Sequence, residues 1–381
     1  MSLTTRIILL FLYSGLILLV APLSFWMAFN AQTWVGYVLA VAGLIVILLP
    51  PLIARHYQKR ENHKFWGQAA LFLMLIVVAF LVVIFVAAPS GNPSPDSPVQ
   101  HRFLQGGDFG RFALTNIIPE SEQVNLGFLV MTFLDPLITA EQANRVSDYT
   151  NDLYREMEQD DNFHELGSVM GLSYAGLFGL PINTGHYYLY IPQSAGDGPL
   201  PALVFLHGSA GNFKTYTWVW SRFAEQEGFV IIAPSYGFGN WDEGGTQTVI
   251  QAIEDAGQVV DIDEERLYLA GLSNGGLGVS RTAAEFPEMF QGLIFLSPVF
   301  DTGIVDSDSF QERWAGRPVL VISGEADKRI PISYVQERVA GMQNGGIIVT
   351  TSFYPNDDHF LTFSQPQNIM DDVAGWLNEG Q

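Results

Sequence analysis

The 381 residues include no cysteine, which excludes disulfides, thiolate metal sites and a cysteine nucleophile. Positive charge is scarce: 18 Lys and Arg stand against 39 Asp and Glu, a net of −21 at pH 7. The imbalance is uneven along the chain. Residues 1–88 hold five of the basic residues (Arg6, Arg55, Lys59, Arg60, Lys64) and one acid, Glu61. That leaves 13 basic and 38 acidic residues in 89–381, a net of −25. So acidic a region repels nucleic acid, and no basic stripe offsets it. There is no P-loop, no dinucleotide fingerprint, no H-E-x-x-H and no internal repeat. The acidic runs 261–265 and 301–308 are read as solvated turns rather than Ca²⁺ sites. No metal and no organic cofactor is expected.

Charge is also missing from a long amino-terminal stretch. From residue 7 to 54 there is no ionised side chain, and the run divides at Asn30-Ala31-Gln32-Thr33 into 7–27 and 34–53. A third uncharged run covers 65–88. Each approaches or exceeds the ~20 apolar residues that cross a bilayer core as a helix. Phe25, Trp26, Trp34, Phe65 and Trp66 sit near the ends, where an interfacial aromatic belt belongs. Pro22, Pro50 and Pro51 fall late in their spans, where a kink is tolerable. The loop 55–64 carries Arg55, Lys59, Arg60 and Lys64 against Glu61, which marks it as cytoplasmic, and Arg6 agrees. Three spans then place the amino terminus in the cytoplasm and everything after Ala88 outside it. The first span is longer than the 7–15 apolar residues usual in a cleaved signal peptide.

Residues 89–98, rich in Pro, Ser and Gly, read as an extended linker. Residues 99–185 read as a helical pre-domain that could cap a site. Within it Thr139-Ala140-Glu141-Gln142 has capping-box form, and Val146, Tyr149, Leu153 and Met157 follow at helical spacing. From 186 to the end the pattern is regular. Strands are expected at 186–191, 202–206, 229–233, 267–270, 293–296, 319–323 and 347–353, with helices at 217–227, 246–259, 275–286, 332–343 and 368–377. Alternating apolar strands and helices imply an α/β domain whose mostly parallel sheet is covered on both faces.

The sharpest motif is Gly271-Leu272-Ser273-Asn274-Gly275-Gly276, which follows the apolar run 267–270. Strand, tight turn and glycine-opened helix form a nucleophile elbow that presents the Ser273 hydroxyl at a strand tip. Serine needs an aligned base, itself oriented by an acid. Asp327 follows the strand 319–323, and His359 follows the strand 347–353, in the order this architecture favours. Glu325, Asp301, Asp357 and Asp358 are rival acids. Backbone donors for an oxyanion are expected at Asn274 and at Ser209 in His207-Gly208-Ser209-Ala210-Gly211, with Gly208 and Ala210 as alternatives. His207 reads as structural. Aromatic residues crowd the same end of the sheet: Phe213, Tyr216, Trp218, Trp220, Tyr236, Phe238 and Trp241. The last three are taken as pocket lining.

These stretches, together with Gly324–Pro331 read as 324–331 and with Asp358-His359-Phe360, resemble the α/β-hydrolase superfamily over roughly 186–378. The nearest resemblance is to its polyhydroxybutyrate-depolymerase-like and feruloyl-esterase-like branch. The resemblance implies a serine nucleophile with acyl-enzyme turnover, carried by Ser273, Asp327 and His359. A membrane-tethered carboxylic ester hydrolase is therefore expected, acting on a small-molecule or lipid ester, with the bilayer as its other partner. Two alternatives stand beside it. One is a serine peptidase resembling the prolyl oligopeptidase family, although 99–185 is too short for that family's propeller. The other is a non-catalytic membrane receptor on a hydrolase fold.

Overall fold

The computed structural model describes residues 3–58, 62–92, 94–107, 109–180, 185–194, 196 and 198–379. Lys59, Arg60 and Glu61 of the basic loop, and Pro93 of the linker, lie outside the described residues. The chain forms two compact units, one of residues 1–88 with 112–126, the other of residues 89–111 with 127–381.

In the first unit, helices α1 (Leu3–Asn30), α2 (Trp34–Tyr57) and α3 (His63–Ala87) are each long and apolar enough to cross a membrane. They extend the expected spans by a few residues at most ends. α4 (Leu114–Ile117) and the beginning of α5 (Glu120–Leu134) complete the unit. The α1–α2 hairpin is tied to α5 by one carboxylate. Glu122 Oε1 accepts hydrogen bonds from Gln32 N, Thr33 N and Thr33 Oγ1, each 2.8 Å long. Thr33 in turn caps α2 by accepting from Gly36 N at 3.1 Å. An anion at a helix amino terminus offsets its free N–H groups and the positive end of its dipole. Gly36 is needed for the approach, because a Cβ there would lie 2.4 Å from Glu122 Oε1.

The second unit is built on an eight-stranded sheet. Its strands are β1 (Val99–Phe103), β2 (His186–Tyr190), β3 (Leu200–Leu206), β4 (Val230–Ser235), β5 (Ile262–Leu272), β6 (Gly292–Leu296), β7 (Pro318–Gly324) and β8 (Ile348–Tyr354). Their spatial order is β1-β2-β4-β3-β5-β6-β7-β8. Only β2 runs against the others: it pairs antiparallel with β1 and β4, and every pairing from β4 to β8 is parallel. α6 (Ala140–Met157), α7 (Asp161–Glu165) and α8 (Met170–Leu177) precede β2. α9 (Lys214–Glu227), α10 (Gly245–Ala256), α11 (Gly275–Glu285), α12 (Thr302–Val305), α13 (Asp308–Trp314), α14 (Ile332–Asn344), α15 (Leu361–Ser364) and α16 (Pro366–Glu379) follow.

Neighbouring residues of β3 show how the layers form. Side chains alternate faces along a strand. Phe205 packs against Tyr216 and Trp220 of α9, at centroid distances of 5.5 Å in both cases. Leu206 points the other way, into Gly278 of α11, where an added Cβ would lie 2.7 Å from it. Strands buried on both faces need apolar residues at every position, which is why β3, β4 and β6 were legible as continuous apolar runs. This strand order, with helices on both faces, is the α/β-hydrolase fold.

The expected boundaries need correction before residue 186. Residues 99–103 are not part of a helical pre-domain: they form the edge strand β1, in register from Val99 opposite Tyr190 to Phe103 opposite His186. Its period was hidden because one of its buried positions is His101, which bonds His186 Nε2 through its Nδ1 at 3.0 Å. Nor is 89–98 a free linker. Gly91 bridges Leu166, and Ser97 is buried. α6 starts at its Thr139 cap as expected and buries Val146, Leu153 and Met157, but Tyr149 is exposed.

Removing the Glu122 carboxylate leaves the amides of Gln32 and Thr33 without their acceptor, a loss of about 2 kcal/mol. In Glu122→Ala, amide hydrogen exchange across 32–36 is expected to accelerate by roughly ten-fold or more over the full chain in the same detergent. Unchanged exchange there means the carboxylate does not hold the hairpin.

Candidate active site

The carboxyl edge of the parallel strands gathers the expected chemistry. β5 ends at Leu272, and Ser273 turns sharply with a φ of 52°, in the left-handed region that a residue with a Cβ avoids. Two glycines make the turn possible. A Cβ on Gly271 would lie 2.5 Å from Gly275 O, and one on Gly275 would lie 2.2 Å from Leu206 O. The turn is held to β6 by Ser273 N donating to Leu296 O at 2.8 Å, and by Val299 N donating to Ser273 O at 2.9 Å.

Ser273 Oγ lies 3.0 Å from His359 Nε2, and His359 Nδ1 lies 2.7 Å from Asp327 Oδ2. A carboxylate only accepts, so Nδ1 carries the proton and Nε2 of the neutral ring is left to accept from the serine hydroxyl. Asp327 is buried after β7. Its other oxygen accepts from Arg329 N at 2.7 Å and Ile330 N at 2.9 Å, which fixes the carboxylate's orientation. The rival acids are engaged elsewhere or exposed. Asp301 pairs with Arg281 at 2.8 Å, Asp357 accepts from Ser364 Oγ at 2.8 Å, Asp358 accepts from Gln142 and Arg145 at 2.8 Å each, and Glu325 is exposed.

The loop after β3 lies against the elbow: a Cβ on Gly208 would be 3.2 Å from Ser273 Cβ. Ala210 N donates to Phe238 O at 3.0 Å, so that amide is not available to a substrate. Ser209 is exposed on the loop and Asn274 opens α11 directly after Ser273. His207 is structural, with both ring nitrogens committed: Nδ1 is 2.8 Å from Gly208 O, and Nε2 accepts from Tyr236 N at 3.0 Å. Asn212 holds the far end of the loop, donating to Ala233 O at 2.8 Å.

The pocket assignment needs one correction. Trp241 is fully buried in the core, its Nε1 donating to His207 O at 2.8 Å and its ring filling space left by Gly278. Tyr236 and Phe238 are half-buried, and Tyr236 stacks on Trp241 with its hydroxyl 2.7 Å from Asp242. A cavity of about 210 Å³, lined by Arg145, Tyr149, Asn356, Asp358 and Phe360, borders the His359 loop. A larger one of about 690 Å³, lined by Asp242, Gln247, Arg281 and Ile304, includes none of Ser273, Asp327 and His359.

Sequence reasoning missed the contribution of 127–177 to this edge. Gln142 and Arg145 of α6 hold Asp358, next to His359. Asp135, just after α5, pairs with Arg329 of the Asp327 turn. Phe128 of α5 meets Phe360 edge-on at 5.9 Å, and Ser173 of α8 backs Gly211, where a Cβ would clash with its hydroxyl at 1.8 Å. One signal was available. Cations are rare in 89–381, and both Arg145 and Arg329 stand on segments that flank the site.

Residues 198–317 match the family described as serine aminopeptidase, S33. A bifunctional acetylxylan esterase/xylanase of Neocallimastix patriciarum is 35% identical over 97 residues, 24% of this chain and 14% of that protein. An uncharacterized protein of Mycobacterium tuberculosis is 30% identical over 178 residues, 45% of this chain and 49% of that protein. The chain therefore spans about half the length, or less, of these curated relatives. Among solved structures, Est1E from Butyrivibrio proteoclasticus is 18% identical, with a TM-score of 0.42 over 52% of this chain and 94% of its own. The second unit has the α/β-hydrolase fold.

Its buried histidines set an acid limit on stability. Burial lowers His207 from 6.5 to about 4, against a raising bond to Gly208. Burial, then the charge of Lys214, lowers His101 to about 3. Burial, then His101, holds His186 well below 6.5. The folded state keeps all three neutral while the unfolded chain takes up protons below 6.5, so stability falls as pH drops through that value toward the folded values. Between pH 6.5 and 5, above the ordinary carboxylate range, each contributes a loss on the order of 2 kcal/mol. Thermal unfolding of the full chain followed by tryptophan fluorescence is expected to shift to lower temperature across that interval; a flat profile refutes it.

Proposed function

We propose that this chain is a membrane-tethered serine hydrolase that cleaves carboxylic esters through an acyl-enzyme. The observation that carries this is the hydrogen-bonded line from Ser273 Oγ through His359 to Asp327, 3.0 and 2.7 Å long, at the carboxyl edge of an α/β-hydrolase sheet. Ser273 Oγ attacks the carbonyl carbon while His359 Nε2 takes its proton, and Asp327 holds the imidazole and the cation it becomes. The amides of Ser209 and Asn274 donate to the oxyanion. His359 returns the proton to the departing alkoxide, and water then repeats the sequence to release the acid. No cofactor enters these steps.

The acetylxylan esterase among the relatives supports the ester reading, while the family description, serine aminopeptidase, favours peptide bonds as a second reading. The membrane part of the proposal rests on three apolar helices and on the bonds from Glu122 to Gln32 and Thr33. Three complete crossings require the hairpin at 30–33 and the chain beyond Ala88 to share one side, as those bonds need. The basic loop 55–64 supports reading that side as extracytoplasmic.

Short-chain p-nitrophenyl esters are expected to turn over, and Ser273→Ala to abolish turnover. Asp327→Asn, which leaves the ring without its orienting charge, is expected to lower kcat about 10³- to 10⁴-fold. An Ser273→Ala rate equal to that of the unchanged chain refutes the assignment. Faster cleavage of peptide anilides than of esters selects the second reading.

A further inference from the structure

The second unit exposes apolar surface in an uneven way. Of the ten large apolar side chains described as exposed in it, seven fall on two short segments: Val130, Phe133, Leu134 and Leu137 at the end of α5, and Leu177, Phe178 and Leu180 at the end of α8. Phe133, Leu134 and Phe178 are 81%, 77% and 74% exposed, as open as Phe11 and Phe29 on the first membrane helix at 79% and 83%. In water such a concentration is unfavourable, and a soluble surface scatters such residues singly.

Both segments border the candidate site. α5 sets Phe128 against Phe360, beside His359, and the turn after it sets Asp135 on Arg329, beside Asp327. α8 sets Ser173 against Gly211 and its Gly176 against Phe238, where a Cβ would lie 2.9 Å from the amide nitrogen. The apolar tips thus continue from the four loops that surround Ser273. The rest of the unit is not membrane-like, since residues 89–111 and 127–381 together carry 36 acidic against 13 basic residues.

We propose that these two tips enter the apolar face of the bilayer to which the chain is tethered, and that the ester reaching Ser273 is an acyl amphiphile drawn from that bilayer. The second half rests on the serine hydrolase reading above; the first does not. A chain with three membrane-spanning helices keeps its globular part at a high effective concentration near lipid, so weak insertion suffices. Insertion of neutral apolar side chains by an acidic domain comes from apolar contact and not from charge, so added salt does not reverse it. A second copy of the chain is the competing occupant.

The absence of cysteine lets a nitroxide report one chosen position in the full chain. Phe133→Cys and Phe178→Cys test the tips, and Ile348→Cys, exposed at the opposite end of the strands, is the control. In phosphatidylcholine nanodiscs holding one chain each, labels at 133 and 178 are expected to collide with oxygen and to be shielded from a polar nickel chelate, at low and high salt. The label at 348 is expected to behave as in water. Aqueous behaviour at both tips overturns the proposal, as does shielding that appears only when two chains share a disc. The ester's source is tested with Phe133→Asp combined with Phe178→Asp. Turnover of a long-chain ester carried in the nanodisc is expected to fall by about ten-fold or more, because the tips no longer enter lipid. Turnover of p-nitrophenyl acetate is expected to stay within about two-fold. Equal losses on both esters, or none on either, overturn the bilayer source. If no ester is cleaved and Ser273→Ala changes nothing, the hydrolase reading fails and the bilayer source with it, while the labels still decide the docking surface.

Discussion

The candidate site depends on one backbone angle, the positive φ of Ser273. A residue with a Cβ in the left-handed region is strained by about 1–3 kcal/mol, and it persists only where its surroundings leave no other conformation. Here they do. Gly271 and Gly275 pack against backbone so closely that neither tolerates a side chain, and the turn is bonded on both sides to the end of β6. β5 lies inside the sheet between β3 and β6, so the loops that follow β3, β7 and β8 all end at the same edge. The serine is thus placed by the sheet, and the histidine and aspartate have only to reach it from neighbouring strand ends.

Those reaching loops are not self-supporting. The turn carrying Asp327 and the loop carrying His359 lean on each other, with Ala326 N donating to Asp357 O at 3.0 Å, and both are gripped from outside by residues 127–177. The grip has two components with different strengths. Arg145 with Asp358 and Arg329 with Asp135 are partly exposed ion pairs, whose individual contribution is at most about 1 kcal/mol. The buried stripe of α6, with Val146, Leu153 and Met157, removes far more apolar surface from water. Apolar burial therefore holds the collar in place, and the ion pairs set where the two loops stop.

This division explains what the sequence revealed and what it concealed. Parallel strands covered on both faces are unbroken apolar runs, and β3, β4, β6 and β7 stood out for that reason, while the antiparallel β2 and the edge strand β8 were also expected within a few residues and β5 begins earlier, along a polar stretch at Ile262. The elbow and the order of its partners were legible because glycine spacing and strand ends are local features. β1 was not, since His101 interrupts its inward face and is tolerated only because His186 meets it from the next strand. The partners Arg145 and Asp358 are 213 residues apart, and no local pattern joins them. Trp241 misled for a related reason. An aromatic after a catalytic-edge strand reads as pocket lining, yet the bare Cα of Gly278, 37 positions on, opens a core site for its indole.

Charge bears on how the globular part meets other surfaces. With 38 acidic residues against 13 basic ones after residue 88, the globular part is repelled by other anionic surfaces. Such repulsion is screened beyond about 10 Å at ordinary ionic strength, so it opposes close approach to an anionic surface and supplies no attraction to lipid. Attraction to lipid has to come from short-range apolar contact. The seven exposed side chains at the ends of α5 and α8 are concentrated beside the loops around Ser273, and among the described residues of the unit the other exposed large apolar side chains, Tyr149, Val259 and Ile348, stand singly. An acidic domain that approaches lipid would therefore be oriented by its apolar residues, and these lie at the ends of α5 and α8, beside the loops around Ser273.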